Sequence, residues 1–343
     1  MYSFTNDYNE TAHPKLLESL LTKAKQKNSG YGLDDYCQLA SEQIRQVIGS
    51  PKSAVHFLPG GTMTNLTFIS HVLRPYQAVI AANTGHIAVH ETGAIEATGH
   101  KVITAQGIDA KLTPELIKPI LDEHCDEHMV QPKLVYISNT TEMGTIYRKQ
   151  ELQRLYQFCQ QHNLYLYLDG ARLAMALTAE DNDLTFQDLA QLTDAFYIGG
   201  TKVGAFAGEA LIINNLTLNQ DFRFTMKQKG AMMAKSWILG LQFLTLMQDD
   251  LYLQLGDHSN KMAKALQTIF SEHGFTFNIR PQTNQLFINI PNRLVDNIMQ
   301  NYSVYAFGQP DSGHTCLRFC TSWATTLDDI ERFKSFLKKL SQK

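Results

Sequence analysis

Three short runs of this sequence hold residues that could do chemistry, and each sits where a strand would end. In FYIGGTK (196–202), two glycines and Thr201 precede Lys202. A lysine in a tight, partly buried loop can shed its proton and attack an aldehyde, and glycine lets the backbone approach a ligand closely. A solvent-facing loop lysine is the plainer alternative. In YLYLDGAR (165–172), Asp169 closes an alternating apolar run and Arg172 follows. A carboxylate so poorly solvated needs a cationic or hydrogen-bonding partner, which a protonated pyridine nitrogen would supply. An aspartate that merely caps a helix over 171–177 fits the same pattern. In LPGGTMTN (58–65), Gly61 and Thr62 lie in a glycine-rich turn at a helix start, where free amide hydrogens and the helix dipole favour a phosphate. The turn lacks the GK[ST] of a nucleotide P-loop, although it could equally hold a mononucleotide.

Two further side chains complete the candidates. His86 follows a strand and precedes a helix, so its imidazole could lie over an aromatic cofactor and move protons near neutral pH. His86 and His90, like His124 and His128, have i, i+4 spacing, but no HExxH and no third ligand accompany them. No metal is expected, and the second pair is expected on a solvated helix face. Arg318, in TCLRFC, offers a guanidinium that matches an amino-acid carboxylate in bidentate fashion or serves a structural ion pair.

These residues need a scaffold, and the chain supplies its pattern. From about 51 to 213, β-rich runs at 54–58, 78–82, 101–104, 134–138, 165–168, 195–198 and 209–213 alternate with stretches of helical period. That pattern predicts an α/β fold with a large seven-stranded sheet covered by helices on both faces. Ligands of open α/β sheets lie beyond the carboxyl ends of the strands, which is where every candidate above falls, together with Glu142. Helices are predicted over 14–27 and 33–48 before the sheet, and over 221–248 and 251–273 after it. Strands at 275–279, 285–290 and 315–320 with helices at 294–301 and 327–340 predict a smaller α+β C-terminal domain. The expected division is 1–250 and 251–343.

Composition narrows the function classes. With 343 residues, 44% of them hydrophobic and 18% charged, the chain can bury a sizeable core. Thirty basic against 33 acidic residues, without long blocks of either sign, support neither nucleic acid nor an anionic membrane as partner. Five cysteines without paired spacing read as reduced thiols. Asp7 and Glu10 stand where a secretory signal would be basic and then apolar, and a cytoplasmic location is expected.

In order along the chain, these segments form a pattern. NDYNETAHP (6–14), GYGLDDY (30–36), FLPGGTMTN (57–65), TGHIAVHETGA (84–94), ISNTTEMGTIY (137–147), LYLDGARLAMAL (166–177), YIGGTKVGA (197–205), KGAMMAKSWILGLQF (229–243) and LRFCTSW (317–323) resemble the threonine aldolase and β-eliminating lyase family. The resemblance implies the aspartate aminotransferase-like fold (fold type I of the pyridoxal phosphate enzymes), a mixed sheet included. It implies pyridoxal 5'-phosphate bound as an imine to Lys202, its ring nitrogen paired with Asp169 and His86 stacked on the ring. Gly61, Thr62 and Thr201 would hold the phosphate, with Lys235 contributed by a neighbouring subunit, and Arg172 would sit near the phenolic oxygen. Arg318, helped by Asn6, would bind the substrate carboxylate, and Tyr31 would line the pocket from a partner. A homodimer or homotetramer is implied.

The implied reaction is cleavage of L-threonine, L-allo-threonine or a related β-hydroxy-α-amino acid to glycine and an aldehyde, with His86 or Glu142 as the base. Many family members have serine in place of Asn6, and one branch carries Asn-Thr-His where this chain has Thr141-Glu142. The side-chain preference and the base therefore stay open. β-Elimination or dehydration of a hydroxy or aryl-substituted amino acid such as phenylserine is the nearest alternative. A nucleotide-binding module is the alternative from outside the class.

Overall fold

In the computed structural model, residues 1–308, 311 and 313–341 are described. Among the described residues thirteen strands are present: β1 (Tyr2–Ser3), β2 (Ala54–Leu58), β3 (Gln77–Ala82), β4 (Val102–Ala105), β5 (Gln131–Ser138), β6 (Tyr165–Asp169), β7 (Ala195–Gly199), β8 (Glu209–Ile213), β9 (Thr276–Phe277), β10 (Gln285–Pro291), β11 (Tyr302–Ser303), β12 (Tyr305–Phe307) and β13 (His314–Cys320). Seven of them form one sheet in the order β2-β8-β7-β6-β5-β3-β4. Strands β3 to β7 run parallel to one another, whereas β8 runs antiparallel to both β2 and β7. Helices cover both faces, so β3, β7 and β8 are buried along their whole length and read as apolar runs. One face packs Ile44, Leu155, Leu173 and Phe243, and the other packs Phe68, Ile87 and Phe222.

The C-terminal part builds a four-stranded antiparallel sheet, β12-β13-β10-β9, over a core of Phe270, Phe319, Phe333 and Leu337. The chain's first residues join it: β1 pairs with β11, and Phe4 is buried in that core. Helix Leu251–Glu272 links the two cores, with Leu251 and Leu255 in the large one and Met262, Leu266 and Phe270 in the small one.

Two sequence expectations are corrected. The helix expected over 221–248 is two, Phe222–Gln228 and Trp237–Leu246, because Gly230 takes a left-handed φ of 77° that ends the first. The pair His124 and His128 does not share a helix face. The helix Pro114–Glu123 stops at His124, whose Nδ1 lies 2.8 Å from the Val130 carbonyl, and His128 lies in the turn beyond.

Candidate active site

The carboxyl ends of β2, β3, β5, β6 and β7 meet the start of antiparallel β8 around one cavity of about 430 Å³. Gly61, Thr62, His86, Glu142, Asp169, Arg172, Thr201 and Lys202 all line it, joined by Tyr8, Asn65, Tyr197 and Glu209. Segments distant in sequence, from Tyr8 to Glu209, are thus brought together by the sheet, whose parallel strands end at one edge.

Asp169 is the last residue of β6 and is buried. Its Oδ1 accepts hydrogen bonds from the Tyr197 hydroxyl (2.5 Å) and the Ala171 amide (3.0 Å), and its Oδ2 from the Tyr136 hydroxyl (2.6 Å) and Asn65 Nδ2 (3.0 Å). Burial pushes the carboxyl pKa up, but the charge of His86 and the Tyr136, Tyr197 and Ala171 donors outweigh it, so Asp169 is held below its ordinary value. It does not cap the following helix, Leu173–Leu177, whose N-cap is Arg172.

Asn65 and Tyr197 lie inside motifs that assign them no role, and Tyr136 lies outside those motifs. A signal was nevertheless present: Tyr136, Tyr167 and Tyr197 each stand two residues before the end of adjacent strands β5, β6 and β7. Period-two geometry puts them on the face that Asp169 shares, and buried phenols need an acceptor.

His86 opens a short helix, His86–Val89. Its amide donates to Glu142 Oε1 (2.8 Å), and its Nδ1 lies 2.8 Å from Oε1 of Glu91, a side chain wholly removed from solvent that also accepts from Asn65 (2.8 Å). The Nδ1 contact fixes the ring and turns Nε2 away from Glu91. Glu142 accepts from Ser138 as well (2.7 Å), and burial, with Asp169 adding to it, raises its pKa.

Lys202 follows β7 by three residues. Among the described residues its Nζ makes no hydrogen bond or ion pair; it lies 5.8 Å from the centre of the Tyr8 ring. Burial and the nearby Arg172 guanidinium lower its pKa against the opposing carboxylates of Asp7, Asp169 and Glu209. A free, half-buried amine with a lowered pKa is the donor an aldehyde requires.

On the opposite wall, helix Gly61–Val72 begins at Gly60, which supplies no side-chain cap. The first amides of this helix are therefore available to an anion. A Cβ on Gly61 would come within 3.2 Å of the Tyr197 hydroxyl, so only glycine leaves this wall undisturbed. Amine, amide turn and buried carboxylate together fit a phosphorylated aldehyde with a basic ring nitrogen. Asp169 already has four donors, but a pyridinium N–H is charged and makes a stronger bond than the rotatable hydroxyl it would displace.

Arg172 Nε and Nη2 grip Asp7 at 2.6 and 3.0 Å, and Asn284 also donates to Asp7 (2.9 Å). Asp7 is fully buried and held down to about 2: burial raises its pKa, and Arg172 and Lys202 overcome that. Sequence reading singled out neither Asp7, Glu91 nor Glu209, since nothing local marks a carboxylate whose partner is distant in sequence.

Four expected site residues do not line the cavity. Arg318 donates to the Thr5 carbonyl (2.9 Å), sits 5.1 Å from the Tyr305 ring centre, and leaves its buried Nε without a partner. Asn6 Oδ1 accepts from the Tyr8 amide (3.0 Å). Tyr31 and Lys235 are exposed neighbours, the Tyr31 amide donating to the Ala234 carbonyl (3.2 Å), away from the cavity.

The beta-eliminating lyase family pattern matches residues 9–292. The chain is 48% identical to a threonine aldolase from Leishmania major, covering 99% of this chain and 100% of that one, with a TM-score of 0.98. It is 28% identical to a low specificity L-threonine aldolase of Pseudomonas aeruginosa over 98% of this chain and 96% of the relative. An aspartate aminotransferase double mutant from Thermus thermophilus, 13% identical, superposes with a TM-score of 0.74, covering 99% of this chain and 91% of that one. The fold is aspartate aminotransferase-like, with a seven-stranded mixed sheet and a separate small antiparallel sheet.

Proposed function

The chain belongs to the beta-eliminating lyase family, and from that premise we propose that it is a pyridoxal phosphate-dependent lyase cleaving L-threonine, L-allo-threonine or a related β-hydroxy-α-amino acid to glycine and an aldehyde. The observation that carries this reading is the unpartnered amine of Lys202 in the same cavity as the buried carboxylate of Asp169. Bound there, the cofactor supplies an electron sink for the pair released when the Cα–Cβ bond breaks.

The protein's own groups divide the remaining work. Lys202 would anchor the cofactor through its aldehyde and leave that position free for the substrate amine. Asp169, its pKa lowered by its neighbours, would pair with the ring nitrogen and favour its protonated form. Gly61, Thr62 and Thr201 would hold the phosphate, and Arg172, braced by Asp7, would serve the ring oxygen. Arg318, whose Nη2 donates to the Thr5 carbonyl, would bind the substrate carboxylate with Asn6, the residue after Thr5. Fixing that carboxylate orients the Cα–Cβ bond, and orientation selects which bond breaks. His86, its Nδ1 engaged by Glu91, accepts the β-hydroxyl proton directly or through water, with Glu142 as the second base.

Tyr31 and Lys235 lie outside the cavity of their own chain but beside each other, which supports their acting in a neighbouring subunit of a homodimer or homotetramer. The expected address is the cytoplasm.

The test is product analysis with the purified, cofactor-loaded protein on L-threonine, L-allo-threonine and phenylserine. Glycine with an equal amount of aldehyde is expected, and Lys202→Ala is expected to abolish both turnover and the near-visible absorbance of the bound cofactor. Ammonia and a keto acid in place of glycine would move the assignment to β-elimination, and ligand binding that survives Lys202→Ala without that absorbance would move it to a nucleotide-binding module.

A further inference from the structure

Glu209 is a buried carboxyl at the cofactor cavity with no ion pair among the described residues. It is the first residue of antiparallel β8, and its Cα partners are Leu58 at the end of β2 and Gly199 at the end of β7. It therefore stands at the junction of the amide turn and the lysine loop. Its Oε2 accepts from the Gly200 amide (2.9 Å) and its Oε1 from the Thr201 hydroxyl (2.9 Å), while Thr201 Oγ1 accepts from the Gly208 amide (3.2 Å).

A threonine hydroxyl has one hydrogen to give. While Glu209 is ionised, that hydrogen points at the carboxylate, and Thr201 cannot donate into the cavity it lines. If Glu209 takes up a proton, the carboxyl donates to Oγ1, the Thr201 hydrogen is released toward the cavity, and the negative charge beside a phosphate disappears. The charged and titratable groups facing Glu209 are Lys202, Asp169 on β6, Tyr167 and Tyr197 on β6 and β7, and Tyr252 on helix Leu251–Glu272. Burial, reinforced by Asp169 and opposed by Thr201, Gly200 and Lys202, pushes Glu209 up to about 8.

We propose that Glu209 is a proton-carrying positioning residue: binding of the cofactor phosphate is coupled to uptake of one proton by Glu209, relayed through the Thr201 hydroxyl. The proposal rests on the phosphate site of the preceding reading. The step balances simply: a solvent proton bonds to a carboxylate oxygen, and the Thr201 hydroxyl exchanges its acceptor from Glu209 to the phosphate. Glutamine at this position can accept from Gly200 through its carbonyl and donate to Thr201 through its amide, so Glu209→Gln mimics the protonated form permanently.

The test measures binding of pyridoxine 5'-phosphate, which has no aldehyde for Lys202, to the full-length chain freed of cofactor. Calorimetry in buffers of different ionisation heat counts the protons taken up. At pH 9 the wild-type chain is expected to take up close to one more proton than Glu209→Gln. The ratio of wild-type to variant Kd is expected to rise about tenfold from pH 7 to pH 9, as linkage to a group titrating near 8 requires. Because the ligand's own titration is common to both proteins, it cancels in that ratio. Thr201→Ser, which keeps the hydroxyl, is expected to retain the uptake. A Kd ratio independent of pH overturns the proposal, as does a wild-type chain that takes up no proton, a result that needs no variant to fold. No binding of the probe at any pH removes the phosphate site itself, and the proposal with it.

Discussion

Asp169 shows how one carboxylate comes to organise a site. Two phenols, an amide side chain and a backbone amide converge on it at the end of β6. Asp169→Ala leaves Asn65, Tyr136 and Tyr197 with buried donors unmatched, at about 1–3 kcal/mol each before relaxation. A fall in the urea midpoint together with loss of cofactor absorbance is expected; an unchanged midpoint would show that water satisfies these groups. Asp7 makes a pH-dependent contribution. Its folded pKa of about 2 lies below an unfolded value of 3.8, so its stabilisation is present above pH 4 and is lost as pH falls toward 2. That difference corresponds to about 2 kcal/mol. Arg172→Ala strands the buried Asp7 and is expected to cost about 3–5 kcal/mol in chemical unfolding, with a steeper acid sensitivity.

At the scale of elements, close approach decides what the loops can be. The turn after β6 passes so near β7 that a Cβ on Gly170 would lie 1.8 Å from the Tyr197 carbonyl oxygen. Gly170→Ala must push β6 and β7 apart where they present Asp169 and Lys202. Its expected signature is a cofactor affinity lowered at least tenfold, read by titration of the absorbance, alongside a lower melting temperature. Helix Leu251–Glu272 crosses Leu173–Leu177 with equal intimacy, since a Cβ on Gly256 would meet Ala174 at 2.5 Å. Gly256→Ala is expected to destabilise by about 1–3 kcal/mol through overpacking. It should leave the spectrum of the surviving holoenzyme unchanged, because neither Gly256 nor Ala174 lines the cavity.

For the whole molecule, the open question is how many copies make a complete site. Leu21, Leu33 and Phe224 are each at least 70% exposed, more apolar side chain than a solvated helix face or turn usually carries. Light scattering is expected to give a multiple of the 38.7 kDa chain mass. Leu21→Asp with Phe224→Asp is expected to reduce that multiple and to weaken cofactor binding, because Lys235 would then lack a neighbour to serve. A monodisperse single chain with full cofactor occupancy would refute both expectations.

The amino-acid sequence by itself determined the sheet, its seven strands and the loops that line the cavity. Apolar period-two runs and glycine-rich turns are local signals, and they placed Gly61, Thr62, His86, Glu142, Asp169, Arg172, Thr201 and Lys202 at strand ends that prove to face one cavity. Only the tertiary structure decided which charges meet. Asp7 reaches Arg172 across 165 residues, Glu209 enters the site because β8 is inserted antiparallel between β2 and β7, and the N-terminal strand closes the C-terminal core. The same structure set Tyr31 and Lys235 on an outer surface. The reason is physical: hydrogen-bonding period and turn geometry are written in neighbouring residues, whereas the pairing of buried charges depends on which distant strands lie side by side.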